Sequence, residues 1–547
     1  MELSWRAFWL WLLGKPSSAK TSLASFNVLT ATVTDLEKLL NNGTLTSEIV
    51  VTEYLKQIEQ NNGYLHAIIA TAPKDLLLQR ARFLDKERAA GRVLSPLHGI
   101  PLLVKVLTAK SCYTANCLPM LGQHRHPFRP GNGHHGWDTC FGWVASSREL
   151  TLLAAGAIIL AKANLSELKA CTCQLAGQPL VGLRSPPTLS GGKRWDDGFG
   201  GHSAVGGSSS GSCAGVAAGF APAALGTDTN GSILMPATRH DVYAMKPTLG
   251  LISQDGVCPI SLDFDSVGPI ARSARDIALL MDAIIDRHRA INILNGTYTS
   301  QLTGSFDGIR IGVLDPKAWH MPTVAVSPNK DVDDQQDADI EAAYKKLKSL
   351  GVTVREVKVA SLDELTVNGM SQIQRVMDSQ FRKTIDMYLS KLDGGKVHSL
   401  DQLMEFMRDN AEKEMPPESP NMKRLETAAA FNISEEEYLN ALTDMRDFGR
   451  RRAIDKSLRD YNVDVILGPG DSRMNELYAT AGYPMVVMPL SYAKFNGRPL
   501  GVCAVASANR EGLLIQLMSA WEAHFNTERQ LPTWVGGDPS STSKSEL

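Results

Sequence analysis

The stretch from Gly206 to Pro236, GGSSSGSCAGVAAGFAPAALGTDTNGSILMP, constrains this chain more than any other. It sets a run of serines among glycines, follows it with small apolar residues, and ends on a second Gly-Ser turn at Asn230-Gly231-Ser232. Glycine reaches backbone conformations closed to other residues, so such turns bring backbone donors together in a small space. Context excludes a flexible linker, because Cys213 to Phe220 continues as a small-residue helix that a linker would not join rigidly. A phosphate-binding loop is excluded too, since neither G-x-x-x-x-G-K-[ST] nor G-x-G-x-x-G after a strand is present. Gly207-Ser-Ser209-Ser-Gly211 fits the G-x-S-x-G nucleophile elbow, but only Ala204 and Val205 precede it where that motif needs a strong strand. Gly211, Gly215 and Gly219 mark a helix face that lies close against another backbone.

The second turn, Gly226-Thr-Asp-Thr-Asn-Gly-Ser232, follows an apolar run. Gly231 lets it close tightly, so the N–H groups from Thr229 to Ser232 can converge beside a hydroxyl. Acyl transfer needs that combination: a nucleophile attacks a carbonyl while donors hold the developing oxyanion. An ordinary Asn-Gly turn with a solvated serine is the competing reading of residues 226–232 alone. A serine at neutral pH also needs a base. His202 and His240 lie near in sequence, but neither has a spacing that demands the role. Leu97-His-Gly-Ile-Pro-Leu-Leu-Val-Lys105 is an apolar strand with one lysine at its end. That lysine either snorkels into water, or is buried so that its pKa falls and it serves as the base of a Ser–Lys triad. Sequence alone does not bring Lys105 and Ser232 together.

The rest of the chain reads as scaffold. Thr34 and Glu37 predict a capping box for a helix that Gly43 ends; helices follow from about Thr46 to 60 and from Asp75 to Ala90. Ala157 to Leu160, Ile309 to Leu314, Val352 to Val357, Val463 to Leu467, Pro484 to Leu490 and Gly501 to Ala506 read as strands. Gly268 to Asp276 opens a helix capped by Ser273 and Asp276, and Asp339 to Leu350 is another. This alternation implies an α/β layered fold, as one large domain over 28–530 with a mostly helical, peripheral insertion at 360–460. Residues 531–547 read as a flexible tail. Residues 106–148 form an irregular insert holding His124, His126, His134, His135, Cys112, Cys117 and Cys140, without zinc-site spacing, so no metal or other cofactor is expected. A formal net charge of −2 gives no reason to expect nucleic acid. The apolar Trp5–Leu13 is too short to span a bilayer; an interfacial anchor within 1–27 stands against a docking or frayed segment. Eight cysteines in a chain this long suggest a reduced, cytoplasmic setting, membrane-associated if that anchor operates.

Several blocks resemble the amidase signature family: GGSSSGS, GTDTNGSI, KPTLGLIS, GPIARSARD, HGIPLLVK, GAIILAKANLSE, and AGYP with NGRPLG. The resemblance implies a mixed, twisted central sheet covered by helices on both faces. It implies Ser232 as nucleophile, Ser208 as relaying serine in a cis peptide bond eased by Gly207, and Lys105 as base. It further implies an oxyanion hole from the N–H groups of Thr229, Asn230, Gly231 and Ser232, supported by Asp228 and Ser209. The expected reaction is hydrolysis of a small-molecule carboxylic amide through an acyl-enzyme, with a homodimer as one arrangement. The alternatives are a catalytically impaired binding protein and the amide-cleaving component of a glutamine-dependent amidotransferase. Val106 departs from the acidic residue that usually follows the family's lysine, and Asn230 stands where many members have glycine.

Overall fold

The computed structural model describes residues 26–105, 151–165, 201–285, 296–323, 326–391, 397–411, 422–525 and 529–532. The expected insert at 106–148, and all but the edges of the N-terminal segment and the tail, lie outside these residues. No described helix is long and apolar enough to cross a membrane.

Eleven strands form one mixed sheet. In chain order they are β1 (Ile68–Thr71), β2 (Pro101–Lys105), β3 (Ile158–Ala163), β4 (Ala223–Asp228), β5 (Tyr243–Lys246) and β6 (Ser266–Ala271). They continue as β7 (Arg310–Val313), β8 (Thr353–Glu356), β9 (Val465–Pro469), β10 (Met485–Tyr492) and β11 (Pro499–Val505). Their order across the sheet is β1-β3-β2-β4-β6-β5-β10-β11-β9-β7-β8. Pairing is parallel for β3–β2, β2–β4, β9–β7 and β7–β8, and antiparallel elsewhere. Every residue of β2, β5, β6, β9 and β11 is buried. Side chains alternate between faces along a strand, so both faces of the central sheet are covered.

Two features of this sheet position the site. β2 and β4 are parallel neighbours in the register Val104–Leu225, so Lys105 and Asp228 emerge at the same edge. The helix Ser210–Ala217 packs over them, and its glycines explain how close it comes. A Cβ at Gly211 would lie 2.4 Å from the Ala67 carbonyl oxygen and 2.5 Å from the Asn164 backbone; one at Gly215 would lie 2.6 Å from Leu103. At Gly219, in the left-handed region, it would meet the Val28 carbonyl at 2.8 Å. At Gly211 and Gly219 the ladder therefore marks close approach to other backbone, as its spacing predicts, and at Gly215 to a side chain.

Four expectations need correction. The first capping box belongs to Thr32 and Asp35, at the start of helix Val33–Asn41. Thr34 is unavailable because its N–H and hydroxyl both donate to Asp276. Ser273 does cap its helix, accepting from the Asp276 N–H at 3.1 Å, but the Asp276 carboxylate reaches across to the Val33 N–H instead of closing a box. Residues 266–271 form strand β6 ahead of that helix, and apolar runs too short to show a period are ambiguous in this way. The 360–460 segment, finally, is only partly peripheral. Phe381, Ile385, Leu400, Leu403, Met407 and Leu425 make a small core of their own, whereas Ala441, Met445, Phe448 and Ile454 belong to the main one.

Candidate active site

The Lys105 side chain is 5% exposed, so the snorkelling alternative does not hold. Its Nζ donates to Ser208 Oγ at 2.8 Å, Ser209 Oγ at 3.0 Å and the Thr227 carbonyl at 3.1 Å. Burial opposes the charged ammonium and brings its pKa down to about 7; Asp228, then Cys213 and Asp265, pull weakly the other way. A neutral amine keeps a lone pair, so one hydroxyl in contact with it can donate to nitrogen.

The serines around Lys105 are not equivalent. Ser208 follows a cis Gly207–Ser208 peptide bond. Ser209 donates through Oγ to the Thr227 carbonyl at 3.1 Å and accepts the Thr227 N–H at 3.3 Å, leaving it fastened to β4. Ser210 is bound to the Gly206 carbonyl at 2.7 Å. The Ser209 N–H donates to the Ser232 carbonyl at 2.8 Å, which ties the two ends of the Gly206–Pro236 stretch together. Ser232 is 2% exposed, and its Oγ has no hydrogen-bond partner among the described residues. A buried hydroxyl without a partner costs free energy unless something else uses it.

The Ser232 turn is held from behind by Asp228. This carboxylate accepts the N–H groups of Gly231 at 3.0 Å and Ile233 at 2.6 Å, and it also takes the Tyr478 hydroxyl. Gly231 has φ +94°, which a side chain would strain. Its N–H donates to the Tyr478 oxygen as well, at 2.6 Å. Gly231 therefore does not stand free as an oxyanion donor, a departure from the four-donor expectation. The N–H groups of Thr229, Asn230 and Ser232 find no acceptor among the described residues. The Thr229 hydroxyl donates to Asp265 at 2.6 Å, and Asp265 accepts the N–H groups of Ile260 and Ser261.

Neither histidine competes as base. His240 Nδ1 donates to the Pro236 carbonyl, 2.7 Å away, and burial pushes its pKa down to about 4. His202 is pushed to about 3 by burial and by Arg498 and Arg239. Sequence reasoning missed Tyr478, which lies 247 residues from Gly231, and Asp265. No spacing signals either one, because the sheet and the helix Met474–Ala481 alone bring them in.

Comparison with known proteins places the chain in a family. The Amidase family model matches residues 150–474. A putative amidase of Schizosaccharomyces pombe is 30% identical, over 90% of this chain and 85% of its own length. One component of the glutamyl-tRNA(Gln) amidotransferase of Natranaerobius thermophilus is 25% identical, over 92% of this chain and 97% of its own. Among solved structures, the peptide amidase of Stenotrophomonas maltophilia superposes with a TM-score of 0.74 at 27% identity, covering 93% of this chain and 99% of that one. With a match across more than half its length and a shared fold, the chain belongs to the amidase signature family of enzymes.

Proposed function

We propose that this amidase hydrolyses a carboxylic amide through an acyl-enzyme on Ser232, with Ser208 as proton relay and Lys105 as base. The observation that carries this reading is a fully buried lysine, poised near neutrality, 2.8 Å from Ser208 Oγ. In the forward half, Ser232 gives its proton to Ser208 as Ser208 gives its own to neutral Lys105, and Ser232 Oγ bonds to the amide carbon. The carbonyl oxygen becomes an oxyanion held by the N–H groups of Thr229, Asn230 and Ser232, with Asp228 and Ser209 supporting the frame. When the C–N bond breaks, the amine leaves with the proton returned from Lys105 through Ser208. Water then repeats the sequence on the ester and releases the acid. Each half regenerates neutral Lys105, so the protons balance.

Similarity to the peptide amidase favours a peptide-like amide as substrate. Similarity to the amidotransferase component supports a second reading, in which ammonia from glutamine passes to a partner enzyme. The deciding experiment is labelling by a fluorophosphonate, with peptide mapping, alongside turnover of an amide panel that includes peptide amides and glutamine. Modification at Ser232, lost with activity in Ser232→Ala, is the expected result. Full activity in that variant would overturn the assignment. Turnover of glutamine alone, and only with a partner present, would select the amidotransferase reading.

A further inference from the structure

Among the buried polar groups at the site that the proposed mechanism leaves unused is the hydroxyl of Tyr478. The residue is fully buried on helix Met474–Ala481, and its oxygen is engaged twice. It donates to Asp228 Oδ1 and accepts the Gly231 N–H at 2.6 Å. Asp228 Oδ1 accepts the same Gly231 N–H at 3.0 Å, so Tyr478, Asp228 and Gly231 close a ring of hydrogen bonds. The helix touches the turn at a second point. A Cβ on Gly231 would lie 2.9 Å from the Asn475 side chain. Contacts at 475 and 478 fall on one face of an α-helix, so a single rigid element backs the turn.

The direction of the Gly231 N–H gives this ring its consequence. Peptide units are planar, and holding one N–H fixes the planes on either side to the extent that φ and ψ are set. With the Gly231 N–H held towards Asp228 and Tyr478, and the Ile233 N–H on the other carboxylate oxygen, Ser232 sits between two anchored units. Its own N–H and Oγ are the groups left over. A phenylalanine would fill the same space and pack the same helix, but could not hold the N–H.

We propose that Tyr478 is a positioning residue for amide hydrolysis, its hydroxyl locking Gly231 onto Asp228 so that the neighbouring N–H groups stay aimed at the oxyanion. This rests on Ser232 being the nucleophile. An interaction that serves the oxyanion acts in the transition state, so its loss appears in kcat and leaves KM alone.

The test is Tyr478→Phe, assayed for kcat, KM and affinity for a peptide aldehyde, which adds to a serine as a tetrahedral oxyanion. Direct loss of an oxyanion donor costs about 10²–10³-fold, so loss of its tether is expected to lower kcat by about 10–100-fold with KM within about twofold. Aldehyde affinity should fall by the same factor. Tyr492→Phe removes another tyrosine hydroxyl bound to a buried carboxylate, Asp241 at 2.8 Å, and should cost stability without touching kcat. The double variant Tyr478→Phe with Asp228→Asn should lose little more than the worse single variant, because both break one ring. A Tyr478→Phe enzyme with kcat within about threefold of the parent, a loss wholly in KM, or unchanged aldehyde affinity would each overturn the proposal. Complete fluorophosphonate labelling at Ser232 in Tyr478→Phe keeps these outcomes separate from a failure of the nucleophile assignment, which Ser232→Ala tests.

Discussion

Lys105 and Lys246 face nearly the same physical situation and answer it differently. Each ends a strand, β2 and β5, and each is buried. Across β2-β4-β6-β5 the pairing runs parallel, antiparallel, antiparallel, so β2, β4 and β5 point the same way. Both lysines therefore reach one edge of the sheet, with Asp228 at the end of the strand β4 that neighbours β2. Burial lowers both pKa values to about 7, and Asp228 is the leading opposing influence on each. Their contacts differ. Lys105 meets two hydroxyls and a carbonyl, whereas Lys246 donates to the Tyr483 carbonyl at 3.1 Å and lies 5.3 Å from the Tyr478 ring centre. An aromatic face and a carbonyl suit a donor or cation but offer no proton to take. A lowered pKa makes a lysine capable of acting as a base; a dissociable hydroxyl within reach gives it something to do.

The comparison can be broken most severely by substituting one lysine at a time. Lys105→Met should lower kcat/KM by about 10³-fold or more, as expected when a general base is lost. Lys246→Met should lower it by less than about tenfold. Equal losses in steady-state assays would erase the distinction between the two residues. Ser208→Ala should follow Lys105→Met at about 10²-fold or more, while fluorophosphonate still reaches Ser232 slowly; an unimpaired Ser208→Ala enzyme would remove the relay.

The pH profile sharpens the same contrast. On the proposed mechanism neutral Lys105 is the active form, so kcat/KM should fall about tenfold for each unit below about 7. Lys246→Met should keep that midpoint. A midpoint nearer 6 would point instead to Asp265, whose carboxyl burial pushes up to about 6.

The smallest effect is one the two lysines share. Both have folded pKa values below the ordinary lysine value, so between about 7 and about 10.5 the unfolded chain binds protons that the native state lacks. Native stability contributed by these groups therefore rises with pH across that window. Either methionine variant should flatten the rise by a similar amount, measurable as urea midpoints at about pH 7.5 and about pH 9.5. Similar slopes with dissimilar activities would separate desolvation, which the lysines have in common, from chemistry, which they do not.

Much of the fold was legible because its signals are local. Gly43 and Gly91 end their helices in the left-handed region, and Thr46 and Ser273 cap theirs, as short-range patterns predict. Strand β6 escapes the local pattern because Gly268 and Pro269 disguise the end of a buried strand as the opening of a helix. The capping box moved by two residues because Asp276, 242 residues away, claims Thr34. At Thr34 a long-range contact overrode local preference.

By itself the sequence determined the densest concentration of hydroxyls and donors, the glycines that let the helix Ser210–Ala217 approach other backbone, and the candidacy of Lys105. These depend on residue type and short spacing, which the chain carries wherever it folds. Tertiary structure alone decided that Lys105 meets Ser208, that Lys246 faces an aromatic ring, and that Tyr478 reaches back to Gly231. The reason is that desolvation and hydrogen bonding are set by whatever lies within a few ångströms. At this sheet edge, strand order brings in those neighbours from 103 to 250 residues away.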